Sequence, residues 1–352
     1  MTRPLRIAQV APVATSVPPP LSGSIESLTA LLTDGLVAAG HTVTLFATGE
    51  SRTRATLHAT FARGYREDPQ NWPWELCEMI NVSAAIERAS MFDIIHYQAK
   101  YHPFALPFGR LAGIPVVITL HHAPNPDEVA LWGRHYPDMP FTAISQAQAR
   151  TMTGLNVVGV VPHAIDVSAL PFTPEGRGYL LFLGRFTEGK GVLPAIEVAR
   201  RVNMPLLLAA EANDYYREQV APLVDGTQVV YAGEVTGEAK AALLGGASAL
   251  LYPVQAAEPF GLVLAEATTC GTPVAALDCG AVPQVVEDGV TGGVFRSIDA
   301  MVAGLPRVLA LDRARVRAVA AERFGVERMV AGYVAVYGAL ASQVPAARAA
   351  GR

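Results

Sequence analysis

Short apolar runs alternate with helical stretches along almost the whole chain, and this alternation constrains the fold more than any other feature. Leu5 to Val10, Thr42 to Ala47, Ile94 to Ile95, Val116 to Leu120, Phe141 to Ile144 and Val157 to Val161 read as strands. Leu28, Leu31, Leu32 and Leu36 have helical spacing in a segment that Gly40 stops, and Trp74 to Ala89 reads as a second helix. Strands separated by helices imply parallel neighbours, because a right-handed crossover needs an intervening helix, and both faces of such a sheet are covered.

After Pro162 the segment His163 to Gly178 loses this periodicity and carries Pro171, Pro174, Gly176 and Gly178, as a linker does. The alternation then resumes, with strands at Tyr179 to Leu183, Pro205 to Ala210, Val229 to Ala232, Ala249 to Tyr252 and Pro273 to Ala276, and a helix at Val192 to Arg201. A length of 352 residues suits two domains, and 51% apolar against 16% charged residues gives each a core. The sequence therefore predicts an α/β chain of two doubly wound domains. Residues 1–165 and 175–325 form the domains, and 326–352 is a terminal helical segment with a flexible, alanine-rich tail after Leu340. Two such domains facing each other would leave a cleft between their strand carboxyl ends, where ligands bind.

Composition closes off several classes. A net charge of −4 lacks the basic excess that binding to nucleic acid requires. Cys77, Cys270 and Cys279 form an odd, widely spaced set that fits a reducing compartment, so a cytoplasmic protein is expected. No apolar run approaches the roughly 20 residues needed to span a bilayer, which leaves at most a peripheral membrane contact. No HExxH or CxxC spacing marks a metal site, and the absence of GxGxxG speaks against a dehydrogenase. Arg307, Arg313, Arg315, Arg317 and Arg323 read as a solvated helical face.

Two segments carry chemistry. The first, Gly184-Arg185-Phe186-Thr187-Glu188-Gly189-Lys190-Gly191, lies between a strand and a helix. Its glycines allow close backbone approach to an anion, the following helix offers unpaired N–H groups, and Arg185 and Lys190 supply positive charge. Lys190 is one of only three lysines. The spacing imitates a nucleotide-hydrolase P-loop, but Gly191 stands where that loop needs a Ser or Thr to hold magnesium. The second segment runs from Glu258-Pro259-Phe260-Gly261-Leu262 to Glu266, followed by Cys270-Gly271-Thr272-Pro273-Val274. Pro259 suits a first helical turn, which puts Glu258 in a loop, Glu266 on the helix, and the N–H groups of Phe260, Gly261 and Leu262 toward an anion. Two carboxylates flanking a phosphate-sized site can each accept a pair of hydroxyl hydrogen bonds, as a ribose or sugar diol offers. Tyr97, Gln98 and His102, after the strand at Ile94 to Ile95, are candidates for lining an acceptor site or for a packed aromatic corner.

With Gly23 before a long helix, G-R-F-x-x-x-K-G at 184–191, and E-P-F-G-L-x-L-x-E-A followed by C-G-T-P-V, the chain resembles the retaining glycosyltransferases of family 4 over about residues 5–335. The resemblance implies a GT-B fold, two Rossmann-like domains facing across a cleft, with a nucleotide-sugar donor held mainly by the C-terminal one and a last helix crossing back. It implies that Arg185 and Lys190 meet the donor diphosphate, Glu266 the ribose hydroxyls and Glu258 the transferred sugar, with main-chain donors from Phe260, Gly261 and Leu262. Gly23 matches a glycine that approaches the diphosphate, although Leu21-Ser22-Gly23-Ser24 lacks the adjacent glycine that relatives often carry. Either His121 or His122 matches a histidine near the sugar. Pro162-His163-Ala164-Ile165-Asp166 stands where relatives commonly have Asn-Gly before Ile-Asp.

The implied activity is retaining transfer of a hexose from a nucleotide diphosphate sugar, UDP ahead of GDP, to a saccharide or small-molecule hydroxyl. No cofactor or metal is expected, since no Asp-x-Asp occurs. A nucleotide-sugar epimerase and a non-catalytic nucleotide-sugar binding module would share the fold and remain alternatives.

Overall fold

The protein is described by a computed structural model covering residues 3–21, 23–99 and 102–343, apart from the side chain of His102. Ser22 and the end of the tail, from residue 344, lie outside the described residues. The chain forms two compact units: Met1–Ala164 together with Val326–Arg352, and Ile165–Gly325.

In the first unit β1 (Arg6–Val10), β2 (Thr42–Ala47), β3 (Thr56–Ala59), β4 (Ile94–Tyr97), β5 (Val116–Thr119), β6 (Pro140–Ala143) and β7 (Asn156–Val160) pair in parallel, in the order β3-β2-β1-β4-β5-β6-β7. Its connections carry α1 (Ser24–Ala38), α2 (Trp74–Glu87), α3 (His102–Leu111), α4 (Pro126–His135) and α5 (Gln146–Thr151). The second unit has β8 (Leu180–Leu183), β9 (Leu206–Ala209), β10 (Val229–Gly233), β11 (Ala249–Tyr252), β12 (Val274–Leu277) and β13 (Gly292–Phe295), also parallel, in the order β10-β9-β8-β11-β12-β13. Its helices are α6 (Val192–Arg201), α7 (Gly237–Gly246), α8 (Leu262–Thr269), α9 (Val282–Val285), α10 (Ile298–Leu309) and α11 (Arg313–Phe324), after which α12 (Val326–Ser342) packs on the first unit. β4, β5 and β11 are buried at every position, as strands covered on both faces must be.

The strand order reverses between β1 and β4 and again between β8 and β11. In open α/β sheets, ligands bind outside the strand carboxyl ends at such reversals. The loops after β1, β4, β8 and β11, which carry Gly23, Gln98, Arg185 with Lys190, and Glu258, therefore occupy the binding edge of their own sheets.

Local chemistry explains the boundaries. Gly40 ends α1 in a left-handed conformation (φ 89°), its N–H bonded to Val37 O and that of His41 to Leu36 O, a doubly bonded helix stop. Gly35 lets α12 approach α1, since a Cβ there would sit 2.6 Å from Val330 Cγ2. α12 buries Met329, Tyr333 and Tyr337 against Leu5, Ile7, Leu32 and Leu36.

Two strands escape the sequence reading: β3 is a half-exposed edge strand, and β13 opens with two glycines. The arginine run is corrected in part: Arg307 and Arg315 are exposed as expected, but the other three are not. Arg313 donates to the carbonyls of Thr173, Gly245 and Ala247, Arg317 to those of Val167, Leu170 and Thr269, and Arg323 to those of Gln284 and Val285. These part-buried guanidiniums satisfy backbone carbonyls in the segment entering the second unit and at helix ends, instead of facing solvent.

Candidate active site

The loops following β8 and β11 are joined before any ligand is considered. The N–H groups of Gln255 and Ala256 both donate to Gly189 O, at 2.9 and 3.2 Å. Gly191 has φ 77°, and a Cβ on it would fall 2.0 Å from Pro253 O, so the approach excludes any side chain. This places the Lys190 ammonium 2.6 Å from Glu258 Oε2 and 3.1 Å from the Tyr252 hydroxyl, and 5.6 Å from the centre of the Tyr252 ring. Tyr252 donates a short hydrogen bond to the same carboxylate oxygen. Its phenol is pushed far above the ordinary range, by burial first and then by the Glu258 charge, so it stays protonated, donating to Glu258 and accepting from Lys190. Glu258 is buried, and its carbonyl accepts from Ala281 N–H at 2.7 Å. Gly280 permits that contact, because a Cβ there would lie 2.4 Å from Glu258 O.

The helix expected to start at Pro259 starts instead at Leu262. Gly261 adopts a left-handed conformation (φ 89°) as its N-cap residue, and the buried Phe260 ring packs edge-on against Phe324 at 6.0 Å. Anchoring Phe260 leaves Pro259 to Gly261 outside the helix. Leu264 N–H returns to Gly261 O at 3.0 Å, so the first-turn N–H groups without helical partners are those of Leu262 and Val263. Of the three predicted main-chain donors, only Leu262 belongs to that turn. Glu266 lies on α8 and pairs through Oε1 with Lys240 of α7 at 2.6 Å. Arg185 is exposed and has no ion-pair or hydrogen-bond partner among the described residues.

In the first unit, Gly23 immediately precedes α1 in an extended conformation. A Cβ there would be 2.9 Å from both Pro19 Cγ and Glu26 Oε2. His121 is buried and His122 exposed, so His121 is the one turned inward. His121 Nε2 lies 2.9 Å from Gln98 Oε1, and its ring stacks on that of His163 at 5.2 Å, with planes 18° apart. The His122 carbonyl accepts from Gln148 Nε2 at 2.9 Å. Tyr97 is corrected as an acceptor-lining residue: its ring is fully buried in the main core of this unit. Gln98 is likewise interior, and the side chain of His102 lies outside what is described.

Sequence reasoning missed Tyr252 and Lys240. Lys240 carried a signal in the scarcity of lysines, whereas Tyr252 is one more aromatic in a strand. It also missed Glu78, which accepts from Val13 N–H at 3.2 Å and whose carboxyl burial raises to about 8. Among the described residues, no group of three or more His, Cys, Asp or Glu side chains is placed to hold a metal ion, and no helix is long and apolar enough to cross a membrane.

Two parallel-sheet Rossmann-like domains, with the Lys190–Glu258–Tyr252 cluster at the strand reversal of the second, fit the GT-B class of fold. Comparison with known proteins agrees. Residues 25–169 match Glycosyltransferase Family 4 and residues 170–323 match Glycosyl transferases group 1. The phosphatidyl-myo-inositol mannosyltransferase of Mycobacterium tuberculosis is 26% identical, over 92% of this chain and 93% of that protein. The crystal structure of AviGT4, a glycosyltransferase involved in avilamycin A biosynthesis, is 26% identical with TM-score 0.75, covering 96% of this chain and 98% of that one. Anabaena HepE in complex with UDP and glucose shares the fold at 17% identity and TM-score 0.72, covering 96% and 100%. The chain belongs to the GT-B glycosyltransferases of family 4.

Proposed function

We propose that this glycosyltransferase moves a hexose from a nucleotide diphosphate sugar, UDP in preference to GDP, to a hydroxyl of a saccharide or small molecule, with retention of anomeric configuration. The observation that carries the reading is the Lys190–Glu258–Tyr252 cluster at the strand reversal of the second unit. An ammonium has three hydrogens, and two point at Glu258 and Tyr252, so one is left for a phosphate oxygen. Glu258 receives both bonds on Oε2, which leaves Oε1 for sugar hydroxyls. One cation can thus hold the sugar-binding carboxylate and the leaving diphosphate together.

In the reaction, the bond from the anomeric carbon to the diphosphate oxygen breaks as the acceptor oxygen bonds to the same carbon on the same face. The acceptor proton passes to the departing phosphate. Arg185, Lys190 and the first turn of α8 stabilise the charge growing on that phosphate, and Glu266, fixed by Lys240, takes the ribose hydroxyls. The family resemblance assigns His121 to the transferred sugar. No metal is needed, because fixed cations and a helix start carry the diphosphate charge, and a cytoplasmic setting supplies the donor. The UDP and glucose bound in HepE and the part of AviGT4 in avilamycin A biosynthesis support these choices. The test is incubation with a panel of UDP- and GDP-hexoses, read by mass spectrometry for slow hydrolysis and for transfer. Conversion of none, or of GDP-sugars alone, refutes the donor assignment.

A further inference from the structure

A chain of buried hydrogen bonds ends on His121. The amide oxygen of Gln98 can only accept, so the hydrogen between it and His121 Nε2, at 2.9 Å, belongs to the imidazole. Gln98 Nε2 donates in turn to Gln9 Oε1 at 3.1 Å, and Gln9 Nε2 donates to the Tyr337 hydroxyl at 2.9 Å. That hydroxyl directs its hydrogen at His96 Nδ1, 2.6 Å away, which leaves His96 protonated on Nε2 and donating to Thr119 Oγ1 at 2.6 Å. The second amide hydrogen of Gln98 faces the same His96 Nδ1 at 3.4 Å, in the same sense. All of these side chains are buried.

Such a chain has a direction. Moving the His121 hydrogen from Nε2 to Nδ1 requires both glutamine amides to turn over and Tyr337 and His96 to exchange donor and acceptor roles, all inside a packed core. On the ring face, His163 stacks against His121, and burial drives the His163 imidazole down to about 3, so it adds no charge.

We infer that Gln98 is a positioning residue for His121, keeping the hydrogen of the neutral imidazole on Nε2 and its lone pair on Nδ1, while His163 fixes the plane of the ring. The consequence for catalysis rests on the proposed placement of His121 by the transferred sugar. A neutral ring there can accept a sugar hydroxyl, whereas an imidazolium would oppose the positive charge growing on the anomeric carbon. Gln98 touches no substrate and acts only through His121.

Nitrogen-15 spectra of the full chain carrying labelled histidine test this, with the His121 signals assigned by difference against His121→Gln. The expected result at neutral pH is the neutral Nε2–H tautomer. Gln98→Leu removes the acceptor and should mix the tautomers and lower kcat about tenfold, the worth of one neutral hydrogen bond, with nucleotide affinity unchanged. Tyr337→Phe breaks the chain further away while keeping its ring, and should mix the tautomers in the same way if the Gln98 variant does not fold. An Nδ1–H tautomer or an imidazolium in the unaltered protein overturns the inference, as does a tautomer unmoved in the variants or a tautomer shift that leaves kcat unchanged. If the signals behave as expected but no nucleotide sugar is turned over by the unaltered protein, the positioning of His121 stands and the catalytic reading fails.

Discussion

Replacing Lys190 with alanine should separate what this side chain does for catalysis from what it does for the fold. For catalysis, the change removes one charged donor from the leaving diphosphate. A well-placed donor of that kind contributes roughly 2.7–4 kcal/mol to the transition state, so kcat should fall by about 10²- to 10³-fold. For the fold, it strands the Glu258 carboxylate, whose side chain is only 8% exposed. Breaking a fully buried ion pair from one side costs about 3–5 kcal/mol. Lys190 is itself 27% exposed, and Tyr252 still donates to the carboxylate, so the cost should be nearer to about 1–2 kcal/mol, toward the lower end of the worth of a charged hydrogen bond. In a unit of this size that lowers the melting temperature by about 3–6 °C.

The two effects have different remedies. Adding Glu258→Gln to Lys190→Ala removes the stranded charge, so the double variant should melt closer to the unaltered protein and remain inactive. Steady-state transfer rates and thermal melts of both variants decide the matter. A near-normal rate for Lys190→Ala refutes the diphosphate role, and a double variant that melts no higher than the single one refutes the stranded carboxylate.

Glu258→Gln should act mainly on turnover and Glu266→Gln mainly on donor affinity. Calorimetric titration with free UDP checks this, and equal weakening by the two substitutions would contradict it. Glu78 ordinarily titrates at 4.5 and is raised to about 8 here by burial, so the folded chain binds a proton that the unfolded chain has released across that window. Stability should therefore decline as pH rises from 4.5 to about 8, and Glu78→Gln should abolish that part of the slope in melts taken across the range. Initial rates in excess EDTA should equal those with added magnesium or manganese, and a loss of activity that either metal restores would disprove metal independence.

The parts of the fold that were legible are those in which local pattern and tertiary role coincide. β4, β5 and β11 are apolar throughout because helices cover both faces, so their sequences announce buried strands. β13 begins with glycine because its neighbour comes too close for a side chain: a Cβ on Gly292 would lie 2.2 Å from Val274 O. Packing there overrides strand propensity and hides the strand. The start of α8 was misplaced for a related reason, since Pro259 fits a first helical turn on its own but Phe260 is drawn into the core. Arg313 and Arg317 have the spacing of a solvated face, and the carbonyls that claim them come from residues more than a hundred positions earlier as well as from nearby helix ends. His96 and Gln98 look like the polar start of a surface loop, until the hydroxyl of Tyr337 arrives from the far end of the sequence. Long-range satisfaction of polar groups leaves no mark on local periodicity.

The candidate donor site follows one physical rule that its sequence motifs do not state. A carboxylate that is to recognise a diol must be held rigid without having both its oxygens consumed. Glu258 is held through Oε2 by Lys190 and Tyr252, and Glu266 through Oε1 by Lys240, so each presents its other oxygen. Only three lysines occur in the chain, and the two that are described pair with the two motif glutamates. The pairing spares the protein a reorganisation when substrate arrives, which is where preorganised charge has most effect on rate. It also explains the division between the cations of the first motif. Lys190 is committed to Glu258 and can lend the phosphate a single hydrogen, whereas Arg185, exposed and without a partner among the described residues, brings its whole fork to a diphosphate. Replacing Arg185 should therefore weaken nucleotide diphosphate binding without disturbing the fold, and replacing Lys190 cannot leave both untouched.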